Sequence, residues 1–425
     1  MNLLELKKSA IEKVKKAFIN QAPKAIIQVQ IIDLFQHIKY LKGGPICYFK
    51  DKNSEIQMLA HGAYEVYQDI SETVFNDNEI IFGAEKFPSK IDNQNNGYFF
   101  KPIIVYKKSK FTYDVTIEIN LNYRLLKNKK EFSKFIFHLS DLFEFRNEME
   151  RKLPKLKDVI EVPEIDDWKS KVEKVTKIIT DNQKIVLSRK KLISFEENVH
   201  ENSILENIPN CDGQYLFFLK PNQDEYFISV SPERLFFQEN QNITIDCIAG
   251  TRPRGKSSSR DKELERELIH SKKERSEHLF VANFIEKEMN QLCDELLMTK
   301  AFDILKLSKV QHLHSEFIGK LKSDVTPSKI LKKIYPTPAI AGTPSKYAIE
   351  HIADIESSSR EYYAGACGYL SRSKSELLVG IRSIHVRSNE VHIFGGAGII
   401  SDSNYKSEWN ETEQKMKNFS FLWER

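Results

Sequence analysis

Between residues 213 and 249 four apolar runs follow one another, GQYLFFLK, EYFISVS, RLFFQEN and ITIDCIA, joined by short polar links such as NQDE and ENQN. Parallel neighbours need a crossover of a dozen or more residues, whereas antiparallel neighbours need only a tight turn. These runs are therefore expected as antiparallel hairpins. Apolar-periodic stretches surround them: helices are expected over 168–180, from about Asp261 to Leu297, near 327–334 and 344–355, and over 404–422. Further strands are expected in KIVLSRKKL (184–192) and around 362–370, 376–387 and 390–395. Long helices mixed with mainly antiparallel strands make the chain α+β.

The first 155 residues alternate strands and helices more loosely. YFFKPIIVY (98–106) and FTYDVTIEIN (111–120) alternate β-branched or aromatic residues with polar ones. A helix is expected from Lys129 to Arg151, with Phe132, Phe135, Ile136, Leu139, Leu142 and Phe143 as its apolar stripe. The two prolines of LPKLKDVIEVPEID (153–166) end it, and this segment reads as a connection. At the start of the chain, Leu4, Ile11, Val14 and Phe18 are spaced to pack a surface helix on the core, and no secretory cleavage site follows.

Length allows one large domain or two to three smaller ones. The 64 basic and 60 acidic residues are mixed, so the net charge of +4 supplies no clustered basic face for nucleic acid. No apolar run is long enough to span a membrane. The five cysteines, Cys47, Cys211, Cys247, Cys293 and Cys367, include no CxxC pair, so neither a disulfide framework nor a zinc site is expected, and a reducing cytoplasm fits best.

Chemistry concentrates in two pairs of glutamates at i, i+3 spacing: Glu274 and Glu277 in KKERSEHLF, and Glu408 and Glu411 in KSEWNETEQK. That spacing puts each pair on one helix face, and four carboxylates suit a hard cation such as Mg2+. Nearby lie two glycine turns, CIAGTRPRG (247–255) and FGGAGII (394–400), the proline-rich YPTPAIAGTP (335–344) and a strand-borne arginine, Arg382 in VGIRSIH. Such parts suit a small anionic substrate held partly through a metal.

As a set, the motifs resemble the chorismate-utilising enzymes, and within them the isochorismate synthases. The pieces are KIVLSR (184–189), SPERLF (231–236), IAGTRPRG (248–255), ERSEH (274–278), QHLHS (311–315), PTPAIAGTP (336–344), REYYAGACGY (360–369), GIRS (380–383), GAGI (396–399) and EWNETEQK (408–415). The resemblance implies a β-sandwich core wrapped by helices. It assigns residues 165–425 to the chorismate-binding region and 1–155 to a variable amino-terminal half.

It also implies roles. Glu277 and Glu411 would carry Mg2+ directly, with Glu274 and Glu408 in the outer shell. Lys184 matches the base that activates water for attack at ring C2, and Glu233 the acid that protonates the departing C4 hydroxyl. A lysine can act so only when uncharged, which needs burial or a nearby positive charge, and the acid needs a raised pKa. Arg382 can fork onto a substrate carboxylate, and Lys415 lies one turn after Glu411. Gly250, Gly396 and Gly398 are expected to present backbone amides, and Thr251, Ser315 and Tyr363 to contact the substrate. No obligatory protein partner is implied, and a monomer is compatible with the resemblance.

Two positions separate branches of the family. Lysine at 184, where ammonia-using relatives such as anthranilate synthase carry glutamine, favours water as nucleophile. Ala249 stands where aminodeoxychorismate synthases carry a nucleophilic lysine. Salicylate synthase shares the remaining set and differs by eliminating pyruvate afterwards. The chain departs from the family pattern at Glu274 and Ser276 in ERSEH, at Ser315, and in ESSSR (356–360). RPRGKSSSRDK (252–262) is expected as a loop over the substrate, with Arg254 contributing. Menaquinone biosynthesis is the first pathway expected and catecholate siderophore formation the second.

Overall fold

The computed structural model describes residues 3–31, 33–70, 79–89, 97–109, 114–122, 126–144, 152–208, 213–306 and 310–424. The amino-terminal part runs α1 (Leu3–Ile19), β1 (Lys24–Gln30), β2 (Ile46–Lys50), β3 (Ile56–Tyr67), β4 (Ile80–Glu85), β5 (Gly97–Ser109), β6 (Asp114–Asn120) and α2 (Lys129–Leu142). The middle comprises β7 (Leu156–Val162), α3 (Ile165–Ile178), β8 (Lys184–Phe195), α4 (Glu201–Leu205), β9 (Tyr215–Asn222), β10 (Glu225–Ser231), β11 (Arg234–Glu239), β12 (Asn242–Pro253), α5 (Ser258–His270) and α6 (Lys272–Leu292). It closes with β13 (Cys293–Lys306), β14 (Val310–Leu321), α7 (Pro327–Ile334), β15 (Gly342–Thr343), α8 (Ser345–Ile355), β16 (Ala366–Ser371), β17 (Lys374–Val379), β18 (Ser383–Arg387), β19 (Glu390–Ile399) and α9 (Tyr405–Met416).

Every pairing among these strands is antiparallel, and β5 joins two sheets. One sheet runs from β5 through β3, β2, β9, β10, β18 and β19 to β8, with β7 at its edge. The other runs from β5 through β4, β16, β17, β11, β12 and β14 to β13. Side chains of the two sheets meet in one apolar cluster that holds Phe49, Phe82, Phe100, Phe217 and Tyr369. Their opposite faces pack beneath helices: Tyr48 and Phe218 join α1 and α2 residues, and Phe236 and Ile245 join α6 and α7 residues. Strands buried on both faces lose polar alternation, which is why β9 reads YLFFL without a break.

The architecture is α+β, as expected, and the hairpins β9–β10 and β11–β12 form. β10 and β11 do not pair with each other, however. At Pro232–Glu233 the chain leaves the first sheet, where β10 pairs with β18, and enters the second, where β11 pairs with β17. The return crossing, from β17 to β18, carries Ile381 and Arg382. Backbone bonds tie the two crossings side by side, Val230 N–H to Arg382 O at 3.1 Å and Val379 N–H to Glu233 O at 3.1 Å. Two distant sequence segments are thereby delivered to one corner.

Several local expectations are corrected. Residues 153–166 contain a strand, β7, not merely a connection: β-branched Val159 and Ile160 pair with β8 while remaining exposed. The long helix expected to Leu297 is α5 and α6, ending at Leu292. Cys293 onward pairs with β14, where backbone bonding between strands overrides a helix-like apolar spacing. The glycine segments at 250 and 394–400 are not free turns; Gly250 is a bulge inside β12, with φ +81°, and FGGAGI belongs to β19. Arg382 lies at the sheet crossing with φ +48°, not on a strand. In α1, Val14 is buried and Phe18 packs on the core, but the stripe passes through Leu6, Ala10 and Ala17, leaving Ile11 partly exposed; the Leu4 side chain lies outside the described residues. Helix α2 ends at Leu142, and residues 145–151 of its expected span lie outside the described residues. So do residues 111–113 of the expected strand and Cys211. Cys47, Cys247, Cys293 and Cys367 are free and buried. No described helix is long and apolar enough to cross a membrane.

Candidate active site

A cavity of about 170 Å3 opens at the corner where the sheets exchange strands, and both glutamate pairs line it. Each pair sits at the start of a helix. Ser271 caps α6 by accepting from Glu274 N–H at 3.3 Å, and Asn404 caps α9 by accepting from Lys406 and Ser407 N–H. Exposed amide dipoles at such ends favour carboxylates in the first turn. Every sequence candidate lines the cavity except Ser315 and Arg254.

Lys184 opens β8 and is almost wholly buried, 2 % exposed. Its Nζ donates to Glu277 Oε1 at 2.5 Å. Burial pushes the Glu277 carboxyl up, but Lys184, with Lys415 and Lys273, outweighs that and holds it below the usual carboxylate range. Gly398 makes room for this contact, since a Cβ there would stand 2.3 Å from Lys184 Cε. Gly396 similarly clears the Tyr363 hydroxyl, at 2.6 Å from its would-be Cβ. The Tyr363 ring stacks on Phe394 at 5.1 Å. Steric clearance for neighbouring side chains is thus the visible function of both glycines.

Glu233, at the sheet crossing, is 8 % exposed, and its carboxyl makes no hydrogen bond among the described residues. Burial pushes it up to about 7, against the pull of Lys184, Lys415 and Arg382. The arginines that could have neutralised it are engaged elsewhere: Arg234 with Asp246 at 2.8 Å, Arg252 with Glu274 at 2.5 Å. Arg382 is half-buried beside it, and its guanidinium has no hydrogen-bond partner among the described residues. Burial lowers the Arg382 pKa, and Glu233 opposes that shift. A carboxyl with a raised pKa and a guanidinium without a hydrogen-bond partner among the described residues therefore face one space.

The other carboxylates are also engaged. Glu274 accepts from Thr251 N–H at 3.2 Å because the Gly250 bulge turns that amide toward it. Glu408 accepts from Ser403 Oγ at 2.8 Å, and burial followed by the charge of Glu411 raises its pKa. Glu411 pairs with Lys415 at 2.6 Å, and Lys415 also donates to Gly396 O at 2.9 Å. Among the described residues no three histidine, cysteine or acidic side chains converge as a ready metal cage. The donor set nevertheless fits Mg2+, which uses one or two carboxylates and completes its shell with water and substrate oxygen. Mutual repulsion between Glu408 and Glu411 is a charge that a cation would relieve.

Ser315 lies behind the wall. Its hydroxyl is 2.8 Å from His278 Nε2 and accepts from Phe302 N–H at 3.2 Å. The neighbour that reaches the cavity is His312, three residues earlier, and an odd spacing on a strand sends the two to opposite faces. His312 Nδ1 is 2.9 Å from Thr251 Oγ1, and its buried Nε2 has no partner among the described residues. Burial, with the charges of Arg382 and Lys415, lowers His312 to about 3. Strand alternation applied to QHLHS was the signal for it. Lys273 also lines the cavity and was missed, because lysine in a helical first turn looks like solvated charge. Arg254 does not line it; its guanidinium bonds Asp261 at 2.8 and 2.9 Å and closes its own loop.

Similarity to known proteins accords with this site. The chain spans about half the length of the curated relatives it matches. It is 38% identical over 240 residues to "Isochorismate synthase 2, chloroplastic" of Arabidopsis thaliana, covering 56% of this chain and 42% of that one. It is 30% identical over 255 residues to "Isochorismate synthase MenF" of Bacillus subtilis (strain 168), covering 59% and 54%. In fold it is similar to the menaquinone-specific isochorismate synthase MenF from Escherichia coli, with TM-score 0.83 and 21% identity over 98% of this chain and 99% of that one. Residues 72–421 match the model of the family described as chorismate binding enzyme, and the chain belongs to that family.

Proposed function

We propose that the chain is an isochorismate synthase, which adds water at C2 of chorismate as the C4 hydroxyl departs. The observation that carries this reading is a single cavity holding the Lys184 amine and a Glu233 carboxyl whose pKa of about 7 keeps a proton available near neutrality. Attack forms the C2–O bond while Lys184 takes the proton of the water. Cleavage of C4–O is assisted by the proton of Glu233, and the hydroxyl leaves as water. Lys184 must first part from Glu277 and be uncharged. Arg382 and Lys415 would hold a substrate carboxylate, which Arg382 can grip bidentately. Glu277 and Glu411 would hold Mg2+, with Glu274 and Glu408 behind them; when bound, the ion would neutralise and orient the ring carboxylate. Ala249 offers no amine for covalent capture of the ring.

Relatives named isochorismate synthase stand beside others named anthranilate synthase component 1 at similar identity, and lysine at 184 is what favours water over ammonia. We favour a cytoplasmic enzyme of menaquinone biosynthesis, acting as a monomer on free chorismate. The purified chain given chorismate and Mg2+ should yield isochorismate by chromatography. Salicylate with pyruvate would replace this reading by salicylate synthase, anthranilate on addition of ammonia would replace it by anthranilate synthase, and no turnover would overturn it.

A further inference from the structure

Arg189 lies on β8, five residues beyond Lys184, and its side chain is wholly buried. Its guanidinium carbon is 3.3 Å from the centroid of the Trp409 ring. Nη1 donates to Thr412 Oγ1 at 3.1 Å, both terminal nitrogens reach Glu413 Oε1 at 2.5 Å, and Nη2 bonds Glu161 of β7. Lys191 bridges the same two carboxylates. Directly opposite Arg189 on β19 is Gly395, where a Cβ would meet Thr412 O at 2.7 Å, so α9 lies hard against the sheet at this point.

The helical period explains what this achieves. Glu408, Glu411 and Lys415 occupy one face of α9, while Trp409, Thr412 and Glu413 occupy the adjoining face. Arg189 grips the second face and thereby sets the rotation and depth of the first. Burying an arginine between carboxylates is a poor way to gain stability, because apolar residues often serve equally well, but it can specify one geometry.

We infer that Arg189 is a positioning residue that holds α9 against β8, so that Glu408 and Glu411 stand at the distance from Lys184 that divalent-cation binding requires. This rests on the reading of α9 as a metal-carrying helix.

The test compares wild type, Arg189→Met and Arg189→Lys. Mn2+ binding is titrated by electron paramagnetic resonance without substrate, the Mg2+ dependence of chorismate turnover is measured, and folding is checked by thermal melting. Arg189→Met should remain folded and bind Mn2+ about 10- to 100-fold more weakly, the range for losing a group that orients metal ligands. The Mg2+ needed for half-maximal rate should rise by the same factor, with the rate recovering at saturating Mg2+, and Arg189→Lys should regain part of the loss. Folded Arg189→Met with wild-type Mn2+ binding overturns the inference. Should Arg189→Met fail to fold, Thr412→Val and Glu413→Gln carry the test: weakened Mn2+ binding supports it, and wild-type binding in both overturns it. Wild type that neither binds Mn2+ nor converts chorismate overturns the reading of the site and this inference with it. Wild type that does both, beside an unaltered Arg189→Met, removes the inference alone.

Discussion

Lys184 and Glu233 differ in how the structure leaves them: the amine is held by Glu277, while the carboxyl is buried without a hydrogen-bond partner among the described residues. Lys184→Ala should lower turnover by about 10²- to 10⁴-fold, the usual contribution of a positioned proton acceptor, while chorismate binding persists. Full activity in that variant would show that another group activates the water. Glu233 must be protonated to act, and burial places its pKa at about 7. With this group as the acid, kcat/KM should fall about tenfold per pH unit above that value, and a profile that stays flat to high pH contradicts the assignment. Gly398→Ala tests the amine sterically. Its Cβ would displace the flexible end of Lys184, so kcat should fall while the thermal midpoint hardly moves. The residue types at these positions were legible from motif spacing. The pairing of Lys184 with a carboxylate was not, because Glu277 lies 93 residues away.

Among the elements, β8 is pinned along its length by side chains from other segments. Near its start, Arg360 donates to Val186 O at 2.6 Å and Ile340 O at 2.9 Å while pairing with Glu356 at 2.6 Å, and Glu356 accepts from Ser188 N–H at 2.6 Å. Arg360 and Glu356 are 2 and 8 % exposed in their side chains. Removing one member of such a buried pair leaves an uncompensated charge, so Arg360→Ala should destabilise the fold by about 3–5 kcal/mol. Chemical denaturation measures it, and a loss within error would mean that the strand is held by its ladder alone. This clamp occupies the ESSSR segment, residues 356–360. Elements with one buried face, such as α3 and α8, were readable because periodicity is local. β13 was not, because Leu296, Leu297 and Met298 are apolar yet form a largely exposed strand for which β14 supplies the only ladder among the described residues.

At the scale of the molecule, buried titratable groups give stability two opposing pH dependences. Burial foremost lowers His37, His61 and His278 to about 4, and His312 and His392 to about 3, from an ordinary 6.5. Their contribution is full above 6.5 and is lost as pH falls toward those values, because the unfolded chain takes up protons first. Burial raises Glu85, Glu233 and Glu376 to about 7, so their contribution runs the other way, present below 4.5 and lost as pH rises through 7. With His385 lowered likewise, and Asp51 and Glu408 raised, six histidines face five carboxyls among the described residues, so the free energy of unfolding should rise between about pH 4.5 and 6.5, by up to ~1.4 kcal/mol per pH unit for each unopposed group, and the thermal midpoint should climb with it. A midpoint constant across that interval, by calorimetry, would exclude the balance. The antiparallel class, the helix carrying each glutamate pair and the chemical types of the site were determined by the chain alone, since turn length, periodicity and residue chemistry are properties of neighbours. Only the tertiary structure decided that β10 and β17 cross between sheets side by side, bringing Glu233 to Arg382, that Ser315 turns away while His312 turns in, and that Arg189 reaches α9. Those outcomes depend on which strand pairs with which, and hydrogen bonding between segments far apart in sequence is set by the packing of the whole core.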